Sequence, residues 1–287
     1  MIPANGFAFL SASTEVRVDD LVTDGMTIEN KYYRLTVNAS TGALSEWIDK
    51  QSGHNFAGSW SGYQLGQYIY ETVDDPRQRD ALFAGDFSAE DFGHGITDTA
   101  FVRRTSTSVI VEPSLIEMGE VSISASIEAP GIRRGRVTYR LRTEEPTLDI
   151  DWLLDKEPVD EVEAVFIAFP FALDAANFRA DINGVPITPD LEQLPGTVRD
   201  WYPVGLWADV SDAERGVTLA PLDAPLLHLG GITTGRWART LEPDGPNIMS
   251  WALNNHWMVN FQSHQQGEIP LRYRLTTHKG GCNDADA

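Results

Sequence analysis

Residues 121–154 read VSISASIEAPGIRRGRVTYRLRTEEPTLDIDWLL, and this stretch decides the fold. Apolar side chains recur at every second position in three runs, at 121–127, 137–141 and 148–154. Successive side chains of a β-strand point to opposite faces, so each run would present one apolar face to a core. The turn-forming sequences Ala129-Pro130-Gly131 and Glu144-Glu145-Pro146 separate the runs. The stretch therefore predicts three successive strands of an antiparallel sheet.

The same alternation extends to both sides of this stretch. It recurs at 165–171 and 271–275, and at Tyr33, Leu35 and Val37, where Ser40-Thr41-Gly42 supplies a turn before a second apolar run at 43–48. Helical periodicity is weak, although Ser211 and Glu214 have the spacing of a capping box and suggest a short helix over 211–215. Alternating strands and long helices are missing, which argues against Rossmann and TIM-barrel folds. The sequence predicts an all-β protein built as a large antiparallel sandwich.

No internal repeat or low-complexity linker divides the chain. We expect a leading segment at 1–24, a β-sandwich domain at 25–279 and a polar tail at 280–287. Two segments have the composition of long loops: 74–100, rich in Asp, Gly and aromatic residues, and 186–203, which carries four prolines. Loops this long are typically functional or lie against another surface.

The charge balance excludes some classes of partner. The chain carries 22 basic and 42 acidic side chains, a formal net charge of −20, which repels phosphate backbones and anionic lipid. We therefore expect no nucleic-acid partner and no membrane partner. The single cysteine, Cys282, excludes an intrachain disulfide, and no signal peptide is visible. These features predict a cytoplasmic location.

Catalytic and metal-binding motifs are weak. The histidines form no HExxH motif, and the chain has no Gly-x-Ser-x-Gly elbow. Asp91, His94 and Asp98 are close enough in sequence to meet a cation, but we favour the alternative that they are solvated loop residues. We therefore predict no catalytic residue, no metal ligand and no cofactor in this chain.

Aromatic residues give a stronger functional signal, because sugar rings stack on exposed aromatic faces. The alternative is that these rings fill the core or a domain interface. The candidates are Trp60, Tyr63, Trp201, Tyr202, Trp207, Trp237 and Trp257.

Several segments, in order along the chain, resemble the C-terminal region of glycoside hydrolase family 38, the α-mannosidase family. They are Ile2-Pro3-Ala4-Asn5-Gly6-Phe7, the hairpin Ile28-Glu29-Asn30-Lys31-Tyr32-Tyr33 with Thr41-Gly42-Ala43-Leu44, the turn Asp181-Ile182-Asn183-Gly184, the segment Trp207-Ala208-Asp209-Val210-Ser211-Asp212, and Asn254-Asn255-His256-Trp257.

The resemblance implies a galactose-mutarotase-like supersandwich that forms the C-terminal domain of a retaining α-mannosidase-like hydrolase. The family's aspartate nucleophile, acid/base carboxylate and zinc ion belong chiefly to an N-terminal β/α domain, to which nothing here is similar. That missing catalytic domain and a mannoside-type glycan are the implied partners, with zinc expected in the missing domain. The side chains expected to contact the sugar are Tyr63, Asp181, Asn183, Trp207, Asp209, His256 and Trp257.

Two other functions remain open at this point. The aromatic residues would also suit a free-standing carbohydrate-binding module. A mutarotase-like epimerase would need a histidine and a carboxylate that converge on a pyranose, and His94 or His256 could serve; this alternative rests on analogy of fold alone.

Overall fold

A computed structural model describes residues 20–75, 101–234, 240–256 and 262–282. Within these ranges the named elements are all β-strands, and every ladder between them is antiparallel. The all-β antiparallel architecture predicted from the sequence is confirmed. No helix in the described ranges is long and apolar enough to span a lipid bilayer. The strands are β1 (Val22–Asp24), β2 (Thr27–Glu29), β3 (Tyr33–Val37), β4 (Leu44–Asp49), β5 (Ser59–Trp60), β6 (Tyr63–Gln64), β7 (Gln67–Val73), β8 (Phe101–Arg104), β9 (Ser108–Val111), β10 (Leu115–Glu117), β11 (Glu120–Ala129), β12 (Ile132–Arg142), β13 (Leu148–Lys156), β14 (Glu163–Pro170), β15 (Asn177–Ile182), β16 (Val185–Ile187), β17 (Tyr202–Pro203), β18 (Ala208–Ser211), β19 (Arg215–Pro221), β20 (Leu226–Leu229), β21 (Asn247–Asn254) and β22 (Gly267–Lys279).

These strands form two large sheets and two small ones. The ten-stranded sheet has the order β10-β11-β12-β13-β22-β19-β18-β15-β16, with β9 paired to β11. The six-stranded sheet has the order β17-β20-β21-β14-β7-β8. The strands β1 to β4 form a four-stranded sheet, and β5 pairs with β6. β1 lies within the segment predicted to lead into the domain, so the four-stranded sheet begins before residue 25.

The main core lies between the two large sheets, and the four-stranded sheet contributes to it. Alternate residues of β12 and β22 point into this core, while the arginines between them face outward. Polar groups of the buried aromatic residues find partners across the layers: the Tyr139 hydroxyl donates to the Gly42 carbonyl at 2.9 Å, and Trp152 Nε1 donates to the Gly66 carbonyl at 3.2 Å. The alternation of 121–127, 137–141 and 148–154 is thus the pattern of β11, β12 and β13.

The hairpin predicted at 33–48 is confirmed by β3 and β4, with Gly42 at φ 72° in the turn. The short helix suggested at 211–215 is wrong. Ser211 ends β18 and Arg215 begins β19, and the two strands pair as a hairpin. The Asp212 carboxylate accepts hydrogen bonds from the backbone N–H groups of Glu214 and Arg215 at 2.8 and 2.9 Å. These local bonds stabilise a turn at the place where a capping box would have started a helix.

One strand differs from the simple pattern of one apolar face. Every residue of β14 is buried. Val165, Ile167 and Phe169 point into the main core, while Ala164, Phe166 and Ala168 belong to a second apolar cluster on the other side of the six-stranded sheet. That outer face is therefore covered, and the side chains that cover it include aromatic rings and a histidine.

Candidate functional site

The outer face of the six-stranded sheet carries an aromatic layer. Its fully buried members are Ile69, Ala164, Phe166, Ala168, Ile232, Met249 and Trp251, and the partly buried Trp60, Tyr63, Trp201 and Leu226 pack against them. These partly buried rings come from the β5–β6 hairpin and from the segment before β17. The layer therefore joins the sheet to the loops at its surface.

Trp251, on β21, is the centre of this layer. Its ring stacks on Phe166 at an interplanar angle of 2° and a centroid distance of 6.0 Å. Trp201 lies 5.4 Å away, and His228 and His256 approach the indole in edge-on geometry at 4.9 and 5.4 Å. Such edge-to-face and offset contacts are the preferred geometries of aromatic pairs. Most rings of this layer therefore pack against one another. Such packing is what the alternative to sugar stacking, rings that fill the core or an interface, predicts.

The layer also buries ionisable groups. Burial lowers the pKa of His256 to about 4, so this imidazole is neutral at neutral pH. Burial raises the pKa of Glu71, although Arg103 opposes the shift by donating a hydrogen bond to its carboxylate at 2.7 Å. His228 Nδ1 accepts a hydrogen bond from the Thr233 backbone N–H at 3.0 Å, which places the proton of a neutral ring on Nε2.

Of the seven residues expected to contact sugar, two lie in this layer. Tyr63 is half-buried beside Trp60, with ring centroids 6.1 Å apart, and burial raises its pKa. His256 stacks on Phe101 at 5.7 Å and contacts Trp251. Trp257 and Trp237 lie outside the described residues, as do Asp91, His94 and Asp98.

Three more of the seven, Asp181, Asn183 and Trp207, lie near one edge of the ten-stranded sheet. Asn183 and Gly184, with φ angles of 56° and 79°, form the exposed turn between β15 and β16. The Asp181 backbone N–H donates to the Trp207 carbonyl at 3.0 Å, and the Asp181 carboxylate accepts from the Leu206 N–H at 2.8 Å. Asp181 is therefore a buried organiser of this loop, while Asn183 is exposed.

Asp209 has a different environment from the others. It is fully buried, and Oδ2 accepts hydrogen bonds from the Thr218 hydroxyl and from His278 Nε2, both at 2.7 Å. Its carboxylate therefore contacts protein groups and is not exposed to solvent. The six described residues thus do not form one surface. Tyr63 and His256 pack against the outer face of the six-stranded sheet, and the other four lie on or beside strands of the ten-stranded sheet. Sugar contact by any of them remains a prediction.

A comparison with protein families decides which family the chain comes from. Residues 28–224 match the family described as "Glycosyl hydrolases family 38 C-terminal domain". The chain belongs to this family. A comparison with curated proteins gives no match.

Solved structures agree with the family 38 assignment at the level of fold. An α-mannosidase from Enterococcus faecalis V583 superposes with a TM-score of 0.60 at 12% identity, over 91% of this chain and 30% of that one. A family 38 protein from Enterococcus faecalis gives 0.61 at 12% identity, over 96% and 32%. Galactose 1-epimerase from Lactobacillus acidophilus NCFM gives 0.50 at 10% identity, over 89% and 94%. The galactose-mutarotase-like fold is thereby confirmed, and the family 38 chain spans about a third of the length of the two Enterococcus proteins.

The structure of this family 38 domain also reveals a pair that sequence reasoning missed. The Lys156 ammonium lies 2.6 Å from Glu163 Oε1, and the two side chains are only 2% and 7% exposed. The sequence carried a signal that could have predicted this pair. Lys156 continues the inward positions of Trp152 and Leu154, and Glu163 precedes the inward positions of Val165 and Ile167. Two opposite charges at core-facing positions of successive strands indicate a buried ion pair.

No three His, Cys, Asp or Glu side chains within the described residues could together hold a metal ion.

Proposed function

We propose that this chain is the C-terminal β-domain of an α-mannosidase-like glycoside hydrolase and that it docks on a separate catalytic domain. The match of residues 28–224 to the family 38 C-terminal domain carries this proposal. The Enterococcus proteins of similar fold extend over about three times the length of this chain, which is the room a catalytic domain would need.

A specific surface suits the docking. Large apolar side chains are exposed in the segment 182–206: Leu191, Leu194, Leu206 and Val185 are 81%, 76%, 72% and 58% exposed. A mostly apolar cavity of about 390 Å³ lies beside them, lined in part by Trp201. Contiguous exposed apolar surface is characteristic of protein interfaces. We call residues 182–206 the docking surface.

Ion pairs and hydrogen bonds hold the docking surface in place without a partner. Arg199, with a side chain 4% exposed, contacts Asp190 Oδ1 at 2.6 Å and donates to the Thr197 carbonyl at 2.8 Å. The Thr188 backbone N–H donates to the Glu192 carboxylate at 2.5 Å. A surface that is already ordered loses less conformational entropy on association. Trp201 connects it to the aromatic layer through its contact with Trp251.

In this proposal the catalytic groups lie in the partner domain. A retaining mechanism needs two carboxylates close to the scissile bond, one as nucleophile and one as acid and base. Zinc would bind sugar hydroxyls there. The described residues of this chain supply a rigid wall through the docking surface, which includes the exposed Asn183 turn. The substrate would be a mannoside-type glycan.

Activity measurements on 4-nitrophenyl α-mannoside test this proposal. The 287-residue chain should be inactive, and the longest polypeptide that its gene encodes should be active. In that longer polypeptide, Leu191→Glu with Leu194→Glu should lower kcat/KM at least tenfold, because two charges would be buried at the interface. The control is Leu153→Glu, a substitution of another exposed leucine on β13, outside the docking surface. Activity of the 287-residue chain alone would contradict the proposal.

A free-standing carbohydrate-binding module remains the second candidate, favoured by the half-buried Trp60 and Tyr63 at the edge of the aromatic layer. The mass of the native gene product discriminates between the two. A species near 31.7 kDa would favour the module, and a species several times heavier would favour the hydrolase.

A further inference from the structure

A cavity of about 310 Å³ opens at one end of the sandwich. Its volume lies at the small end of the usual range for ligand pockets, roughly 300–1,000 Å³. The end of β13, the start of β14, the end of β21 and the segments 223–226 and 263–265 surround it. We call it the end cavity, and its lining includes Lys156, Glu163, Trp251, Asn255, His264 and Gln265.

The buried ion pair lines this cavity and has hydrogen-bonding capacity to spare. Lys156 Nζ donates to Glu163 Oε1 at 2.6 Å and to the Glu157 carbonyl at 2.8 Å. An ammonium group carries three donors, so one N–H is left after these two contacts. Glu163 Oε2 is buried, and no described residue meets hydrogen-bond geometry with it. The Tyr70 hydroxyl interacts with the same carboxyl and lowers its pKa. As far as the described residues go, one donor and one acceptor thus remain on the same pair.

Several other polar groups of the end cavity are already committed, and their contacts hold the ion pair and the rim in place. Asn255 accepts from the Glu163 backbone N–H at 2.7 Å and donates to the carbonyls of Val159 and Glu161 at 3.0 and 2.8 Å. Asp223 forms a bidentate pair with Arg272 at 2.8 and 2.9 Å.

The rim is fixed in the same way. Asp160 accepts a hydrogen bond from the Ser263 hydroxyl and another from His264 Nδ1, both at 2.7 Å. The end cavity is therefore preorganised, and within it the Lys156–Glu163 pair keeps hydrogen-bonding capacity for a ligand.

A buried ion pair contributes little to stability, because desolvation of both charges offsets their attraction. A pair kept at the wall of a cavity therefore points to recognition of a ligand. The charges also constrain which ligand. A simple anion would meet the Glu163 carboxylate, and a simple cation would meet the Lys156 ammonium. A hydroxyl group both accepts and donates hydrogen bonds, so two neighbouring hydroxyls match one N–H donor and one carboxylate acceptor.

We propose that the end cavity binds a monosaccharide ring through two adjacent hydroxyls. One hydroxyl accepts from Lys156 Nζ, the other donates to Glu163 Oε2, and Ala252 and Leu253 supply apolar lining for the ring carbons. The end cavity is formed by residues other than those of the docking surface at 182–206. Binding here would survive failure of the docking proposal, and docking would survive failure of binding here.

Isothermal titration calorimetry of the 287-residue chain tests this site. D-Mannose should bind saturably, and tetrahydropyran-2-methanol, a similar ring without adjacent hydroxyls, should give no heat. Glu163→Gln should weaken mannose binding at least tenfold, because an amide in place of the carboxylate removes a charge-assisted acceptor. Circular dichroism would verify that this variant is folded.

A second variant tests the cavity without changing the pair. Gln265 is an exposed rim residue, and Gln265→Trp should obstruct the mouth and weaken binding at least tenfold. Gln266→Trp is the matched control, since Gln266 is exposed and does not line the cavity, and its affinity should equal that of the natural chain. No saturable heat with mannose, glucose or galactose would overturn the proposal. Equal affinity of the Gln265→Trp and Gln266→Trp variants would overturn it as well.

Discussion

Replacing Lys156 by methionine should destabilise the fold by about 3–5 kcal/mol at pH 8, which is the cost of leaving one member of a buried ion pair without its partner. Methionine keeps a similar side-chain length, so the cavity that it leaves is small. The loss falls on Glu163, whose side chain is 7% exposed and whose Oε1 would lose its contact with the ammonium.

The cost of this substitution should depend on pH in a definite direction. Burial raises the pKa of Glu163, against the opposing effects of Lys156 and Tyr70. Without Lys156 the pKa rises further. A carboxyl whose pKa in the folded state exceeds its unfolded value contributes most to stability below the unfolded pKa, about 4.3, and this contribution is lost as the pH rises through the folded pKa. Lys156→Met should therefore be least harmful near pH 5 and most harmful near pH 8.

Urea unfolding followed by tryptophan fluorescence at pH 5, 6, 7 and 8 measures this effect. The double variant Lys156→Met, Glu163→Met should recover most of the loss at pH 8, because it removes both charges. Arg133→Met is the control: Arg133 pairs with Asp155 at 3.0 Å but is 51% exposed, so its loss should be below about 1 kcal/mol. A loss below about 1 kcal/mol for Lys156→Met at pH 8, or a double variant no more stable than the single one, would refute the reasoning.

Three further outcomes are expected. Burial opposes the charged form of His278, but the hydrogen bond and charge of Asp209, together with backbone hydrogen bonds, raise its pKa overall. The pair should therefore stabilise the fold below about pH 6.5 and less as the pH rises through the folded pKa. Asp209→Asn should lower Tm more at pH 6 than at pH 9 by calorimetry, and equal shifts would contradict this. Gly205→Ala should cost about 1–3 kcal/mol in urea unfolding, because the new Cβ would lie 2.6 Å from Asp181 Oδ2, and an unchanged midpoint would count against this packing. Burial raises the pKa of Cys282 to about 11. Iodoacetamide at pH 8, followed by mass spectrometry, should therefore alkylate it at least tenfold more slowly than an unperturbed thiol with a pKa of about 8.5. Equal rates would disprove the shift.

Much of the fold could be predicted, because period-two alternation is a local signal. The runs at 121–127, 137–141 and 148–154 became β11, β12 and β13, and the Asn183-Gly184 turn joins β15 to β16 as its positive φ angles allow. The order of strands within the sheets was not predictable in this way, since it depends on contacts between residues far apart in the chain. The pairing of β13 with β22 is an example.

The candidate site was less predictable, because burial depends on which layers cover a strand. Phe166 and Ala168 lie between the inward residues of β14 and face the aromatic layer, which only the tertiary structure reveals. Asp209 is polar and lies in a motif of the family, yet the structure buries it against Thr218 and His278. Sequence motifs indicate that a residue matters without distinguishing a ligand contact from an internal support.

The position of β22 has a consequence for biosynthesis. Although β22 is the last strand of the described chain, it lies in the interior of the ten-stranded sheet, between β13 and β19. Until residues 267–279 have been translated, β13 and β19 would both present unpaired edges, and such edges invite association with other chains. The nascent protein must therefore wait for β22 before the ten-stranded sheet can close, and pairing over such sequence distances is slow. A ribosome stalled before that strand would release a polypeptide with two open edges, a substrate for chaperones or proteases.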